Sequence, residues 1–178
     1  MKIVGIVIGH GPKIDTGAVS VDGNETELAW NRELAFYICK FSEKFDAALI
    51  HRKVEKLPPY AEVNSLHCDL AIELHLNSSD PAATGSEMIH YAGSTKGKQF
   101  AELLLTAAVS TLKLKNRGVK TPWQGRGNAF LKNTRCPAVI VESFFINNPS
   151  DLARGAEVQE DLARAYVHSI DQMVEAIS

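Results

Sequence analysis

Residues 69–79 read DLAIELHLNSS. The apolar run through Leu76 predicts a core strand that gives way to a polar loop at Asn77. Two residues break that pattern. Glu73 and His75 are two apart, so in a strand both side chains leave the same face. An ionised carboxylate is costly to bury without a partner. A Glu and a His at the open end of a core strand therefore need a chemical reason, and the segments around them supply one.

Working outward, KIVGIVI (2–8) is a second β-type run and ends in the Gly-rich loop GHGPKIDTGAVSVDGN (9–24). ETELAWNRELAFYICKFSEKF (25–45) has helical periodicity through Leu28, Leu34, Ile38 and Phe41, with Asn24 as its candidate N-cap. DAALIHR (46–52) is a short strand, and PPYAEVNSLH (58–67) a short helix opened by prolines. GSEMIHYAG (85–93) alternates as a strand, and TKGKQFAELLLTAAVSTLKL (95–114) is a helix. NRGVKTPWQGRGN (116–128) reads as a polar loop, and PAVIVESFF (137–145) as the most continuous β run. Helix closes the chain. Asn148 or Ser150 caps its start, and Gly155 marks a break into a short and a long piece.

This alternation of strands and helices predicts an α/β fold: one domain over residues 1–178, with a mainly parallel twisted sheet and helices on both faces. At 178 residues the chain can bury a sizeable core. A formal net charge of -2 gives no bulk attraction to nucleic acid or to an anionic membrane, and no apolar run is long enough to span a bilayer. The first residues show no A-x-A-like cleavage site, so synthesis without a secretory signal is expected. Cys39, Cys68 and Cys136 are odd in number and widely spaced, which suits small buried hydrophobes better than a disulfide framework or a metal knuckle.

In open α/β sheets, ligands bind beyond the carboxyl ends of the strands. His10 follows the first strand, His75 ends the third, Glu142 follows PAVIV, and Glu25 opens the first helix. Two imidazoles and a carboxylate form a three-ligand set for catalytic zinc with a position left open for water. The remaining carboxylate is then the natural general base.

These segments resemble the zinc-dependent N-acetylmuramoyl-L-alanine amidases of the Amidase_3 type, found in bacterial cell-wall hydrolases and phage endolysins. The likeness is carried in order by IGHGPKIDTGA, GNETELAWN, DLAIELHLNS, NRGVK and PAVIVESFFINNPSD, which together span nearly the whole chain. The resemblance implies His10, Glu25 and His75 as zinc ligands and Glu142 as the catalytic carboxylate. Glu27 rivals Glu25 for the third ligand. On a helix the two point about 200° apart, so only one can face the metal. Glu25 is preferred because it sets Leu28 and Trp30 where the family has apolar residues. Pro12 stands where the family continues with glycine, and Glu73 where it more often has a small polar residue.

The implied reaction is hydrolysis of the amide between N-acetylmuramic acid and L-alanine in peptidoglycan, by an enzyme that reaches the wall after release or export. Asn77 and Arg117 are candidate substrate contacts. Trp123 and Arg126 are candidate walls of the groove, and His51 is a further residue to watch. A zinc carboxypeptidase or small-molecule amidohydrolase would use the same residues in a smaller pocket. A non-catalytic wall-binding module would lack one of them.

Overall fold

Strand alternation divides the core in two. The computed structural model describes residues 1–12, 15–52, 58–122 and 128–178. In chain order the elements are β1 (Lys2–Ile8), α1 (Glu27–Phe41), β2 (Phe45–His51), α2 (Pro59–Ser65), β3 (Leu70–Asn77), β4 (Ser86–His90), α3 (Thr95–Leu112), β5 (Asn116–Lys120), α4 (Asn128–Asn133), β6 (Ala138–Phe145), α5 (Pro149–Glu157) and α6 (Gln159–Ala176). The sheet order is β2-β1-β3-β6-β4-β5. Among the described strands of this sheet, only the β4–β6 pairing is antiparallel. The expected single α/β domain with a mainly parallel sheet is what the chain forms.

One face of the sheet carries Val4, Ile6 and Ile8 of β1, Leu70, Ile72, Leu74 and Leu76 of β3, and Val139 and Val141 of β6. These pack under α1, α3 and α6, whose Leu34, Ile38, Phe100, Leu104, Tyr166 and Ile170 are buried in the same cluster. Each such aliphatic or aromatic side chain contributes about 1.5–3 kcal/mol by leaving water. The opposite face holds a smaller cluster: Val7, Ile50, Ala71, Ala138 and Ile140 from the strands, with Val63 of α2 and Phe130 and Leu131 of α4. By the same two-residue period, Glu73, His75 and Glu142 fall on this second face.

Four details differ from the sequence reading. Residues 116–120 are the edge strand β5 rather than loop. Gly118 has φ +89 and the strand is half exposed, so it shows no apolar alternation to detect. A short helix, α4, follows at 128–133, where the sequence reading assigned no element beyond the loop ending at Asn128. Helix α1 is capped by Thr26, whose side chain accepts from Ala29 N at 3.2 Å, not by Asn24. The terminal helices part at Val158, while Gly155 lies inside α5.

Asn148 does cap α5, accepting from Ser150 N at 2.9 Å and Asp151 N at 3.1 Å. Gly155 serves packing: a Cβ there would lie 2.5 Å from Phe144 Cε1. Alanine gains up to about 1 kcal/mol of helix propensity over glycine. Overpacking a buried ring costs about 1–3 kcal/mol. Gly155→Ala is therefore expected to lower stability, read as a lower urea midpoint with an unchanged slope. A raised midpoint would show that Phe144 moves aside freely.

The three cysteines are free, with Cys68 buried and Cys39 and Cys136 partly so. Among the described residues no helix is long and apolar enough to cross a membrane.

Candidate metal and catalytic site

The site lies at the carboxyl edge of β1, β3 and β6. Gly9 N donates to Leu74 O at 3.1 Å, which fixes the end of β1 beside β3. His10 follows at once. His75 projects from β3 on the smaller-core face, and its ring fills the space over Gly9, where a Cβ would lie 2.1 Å from Cε1. Glycine is required there because the imidazole occupies that volume. The His10 and His75 rings meet edge to face, with centroids 5.0 Å apart.

The carboxylate between them belongs to Glu27. It is the first residue of α1, where the helix N-terminus favours negative charge. Its Oε1 lies 2.9 Å from His75 Nδ1 and 3.1 Å from His10 Nε2, and accepts from Leu76 N at 2.9 Å. Its Oε2 accepts from Ala18 N at 3.0 Å, while Glu27 N donates to Ala18 O at 2.8 Å. One ligand atom each from His10, Glu27 and His75 lies within 4.8 Å of the others.

Burial opposes the Glu27 charge. The hydrogen bonds from His10, His75 and Ala18 N, with the charge on His75, outweigh it and hold the carboxyl well below its usual range. The His75 imidazole is held well above its usual value: burial lowers it, and Glu27, Glu73 and Glu142 more than compensate.

Glu25 is not part of this cluster. Its backbone is pinned in the turn before α1, where Ser20 N donates to Glu25 O at 2.9 Å and Glu25 N to Ser20 Oγ at 3.0 Å. Its own Oε1 accepts from Thr26 N at 3.1 Å. The preference for Glu25 is therefore corrected to Glu27. The physical reason is the position of the cap. Because Thr26 is N-cap, the helix begins at Glu27 and that carboxylate faces the imidazoles. The signal was present in the sequence as a Ser/Thr-type cap just before the first periodic apolar residue, Leu28.

Glu142 is the parallel-ladder partner of His75, and Glu87 of β4 is the partner of Glu142. A row of His75, Glu142 and Glu87 thus crosses three strands on one face. These residues line a cleft of about 530 Å³ together with His10, Glu27, Asn77 and Lys120.

Asn77 reaches the cleft after a register shift between His75 and Asn77, and it lines the cleft together with Glu87. Arg117 does not line the cleft. Its Nε donates to Glu87 Oε2 at 2.7 Å and its guanidinium sits 4.8 Å from the Phe145 ring centroid. Among the described residues the cation lining the cleft is Lys120, whose Nζ donates to the same oxygen at 2.6 Å. Lys120 was missed because no strand was read at 116–120, and Glu87, on the strand read at 85–93, because the cations that clamp it lie on that unread strand.

His51 ends β2 and is not among the cleft-lining residues. Trp123 and Arg126 fall outside the described residues.

Burial raises the Glu87 carboxyl, but Lys120, Arg117 and Asn77 outweigh it and hold it below its ordinary 4.5. A depressed carboxylate contributes stability that is complete above its unfolded value and lost as pH falls through its folded one. Glu87→Gln is accordingly expected to flatten the acid limb of the stability–pH curve below about pH 4.5, measured by urea unfolding across pH. An unchanged acid limb would contradict the clamp.

A family model described as N-acetylmuramoyl-L-alanine amidase matches residues 4–172. The N-acetylmuramoyl-L-alanine amidase LytC of Bacillus subtilis is 29% identical over 110 residues, covering 58% of this chain and 21% of that protein. The endolysin of Bacillus phage SPP1 is 26% identical, covering 97% of this chain and 66% of that protein. The chain thus spans about a fifth of LytC and two thirds of the endolysin. Among solved structures, the catalytic domain of the CD27L endolysin targeting Clostridia difficile superposes with a TM-score of 0.82 at 27% identity, covering 96% of this chain and 97% of that one.

Proposed function

We propose, from the premise that the chain belongs to the N-acetylmuramoyl-L-alanine amidase family, that it hydrolyses the amide between N-acetylmuramic acid and L-alanine in peptidoglycan with zinc as its metal. The carrying observation is the convergence of His10 and His75 on the buried Glu27 carboxylate, one ladder position from Glu142. Two imidazole nitrogens and one carboxylate oxygen match the donor set of a catalytic zinc, and three protein ligands leave room for water.

Zinc held there would supply Lewis acidity to the scissile carbonyl and lower the pKa of water. Glu142 takes the proton as water adds to the carbonyl carbon, then delivers it to the departing alanine nitrogen as the C–N bond breaks. The products are a free lactyl carboxylate and a free amine, so atoms and protons balance. One carboxylate can serve both transfers because a strand residue between β3 and β4 is rigidly held.

Lys120, at the cleft rim, meets a carboxylate of the stem peptide. It is 41% exposed, so solvent screening reduces its worth. Lys120→Ala should raise KM about fivefold with kcat little changed, given the usual strength of charge-assisted bonds less that screening. A fall in kcat alone, measured by peptide release, would move Lys120 from binding to chemistry.

The activity is tested by mass spectrometry of soluble products from purified peptidoglycan. Free stem peptides beginning with L-alanine, beside peptide-free glycan, are expected. Loss of only a terminal amino acid from intact muropeptides would instead indicate a carboxypeptidase on the same donor set.

A further inference from the structure

We propose that Glu73 is a positioning residue for His75, its buried carboxylate taking the imidazole Nε2–H and so committing Nδ1 to the metal. The inference rests on the zinc reading and adds to it a residue outside the donor set.

Glu73 and His75 leave the same face of β3 and Glu73 is 4% exposed. Its ladder partners on either side are Val7 and Ile140, both buried members of the smaller apolar cluster and neither able to donate from a side chain. His75 Nε2 lies 3.7 Å from Glu73 Oε2, and among the described residues no other ion pair or hydrogen bond to the Glu73 side chain is present. At the other end of the same ring, Nδ1 lies 2.9 Å from Glu27 Oε1. The imidazole is thus spanned by two carboxylates, one at each nitrogen. The Gly9 backbone closes a third side.

A carboxylate in an apolar row costs stability that leucine or methionine would not. The fold alone gives no reason for it. A ring nitrogen of a metal-bound histidine does: ligating imidazoles commonly donate their second N–H to a carboxylate, which fixes the ring and raises its basicity, and loss of that partner weakens metal affinity about 10–100-fold.

The test is zinc titration against a competing chelator for wild type, Glu73→Gln and Glu73→Met, with histidine ¹⁵N spectra of the zinc-loaded proteins and melting of the metal-free ones. Glutamine keeps an acceptor and should stay within about fivefold of wild type. Methionine removes it and should weaken zinc about 10–100-fold, while the metal-free Tm holds or rises. In wild type the His75 spectrum should show Nδ1 on the metal and Nε2 protonated. Equal zinc affinity in Glu73→Met overturns the proposal, as does a wild-type His75 that ligates through Nε2. A drop in metal-free Tm with unchanged affinity would make Glu73 purely structural. The wild-type spectrum decides the matter even if Glu73→Met fails to fold. A wild type that takes up no zinc would instead remove the zinc reading itself.

Discussion

Glu142→Ala is expected to lower turnover on peptidoglycan about a thousandfold, within the 10²–10⁴ range for removal of a general acid–base, with zinc content unchanged. The size follows from the double duty proposed for this side chain. In the proposed reaction both proton transfers pass through it, and the neighbouring carboxylates are not free to replace it. Glu27 is held ionised between two imidazoles, and Glu87 is clamped by Lys120 and Arg117. Glu142→Gln keeps the volume and should lose as much. The measurement is the rate of release of L-alanine-terminated peptide, with metal content determined on the same sample. A variant with more than a tenth of wild-type turnover would remove Glu142 from the chemistry.

The second large effect separates two glutamates two residues apart. Glu27→Ala should weaken zinc binding more than a hundredfold, while Glu25→Ala leaves it within about twofold. The estimate takes about 10–16 kcal/mol for a four-ligand zinc site, hence on the order of 3 kcal/mol for each ligand. Glu27→Ala also leaves Leu76 N and Ala18 N without their acceptor, at about 1–3 kcal/mol for each buried group. Its metal-free form should therefore melt lower as well. Glu25→Ala gives up one contact to an adjacent backbone N–H in a turn, and should cost well under about 1 kcal/mol. Chelator-competed titration of both variants reads the difference. Equal losses would mean that the turn holding Glu25 supports the site as strongly as Glu27 does.

That pair of residues also marks the limit of what could be read from sequence. The strands of the core were legible because each obeys a two-residue period between two apolar clusters, as in β1 and β3. That same period brought His75 and Glu142 to one edge and one face, and the rule for ligand sites in open sheets did the rest. The choice between Glu25 and Glu27 turned on one capping residue. Moving the cap from Asn24 to Thr26 shifts the helix start by two residues and rotates a different carboxylate onto the imidazoles.

Strand β5 was missed for a different reason. An edge strand that is half exposed, opens with Asn116 and carries a left-handed Gly118 has no hydrophobic signature. With it went Lys120, a cation lining the cleft, and the clamp on Glu87. Arg117, chosen as a substrate contact, proved to be half of that clamp.

The assignment of His10, Glu27 and His75 as zinc ligands is tested most directly by an anomalous difference map, at the zinc absorption edge, from a crystal of the zinc-loaded protein. A single strong peak is expected, bounded by His10 Nε2, a Glu27 carboxylate oxygen and His75 Nδ1, with Glu142 facing its open side. A peak ligated by Glu25, or no peak among these residues at full zinc loading, would contradict that assignment.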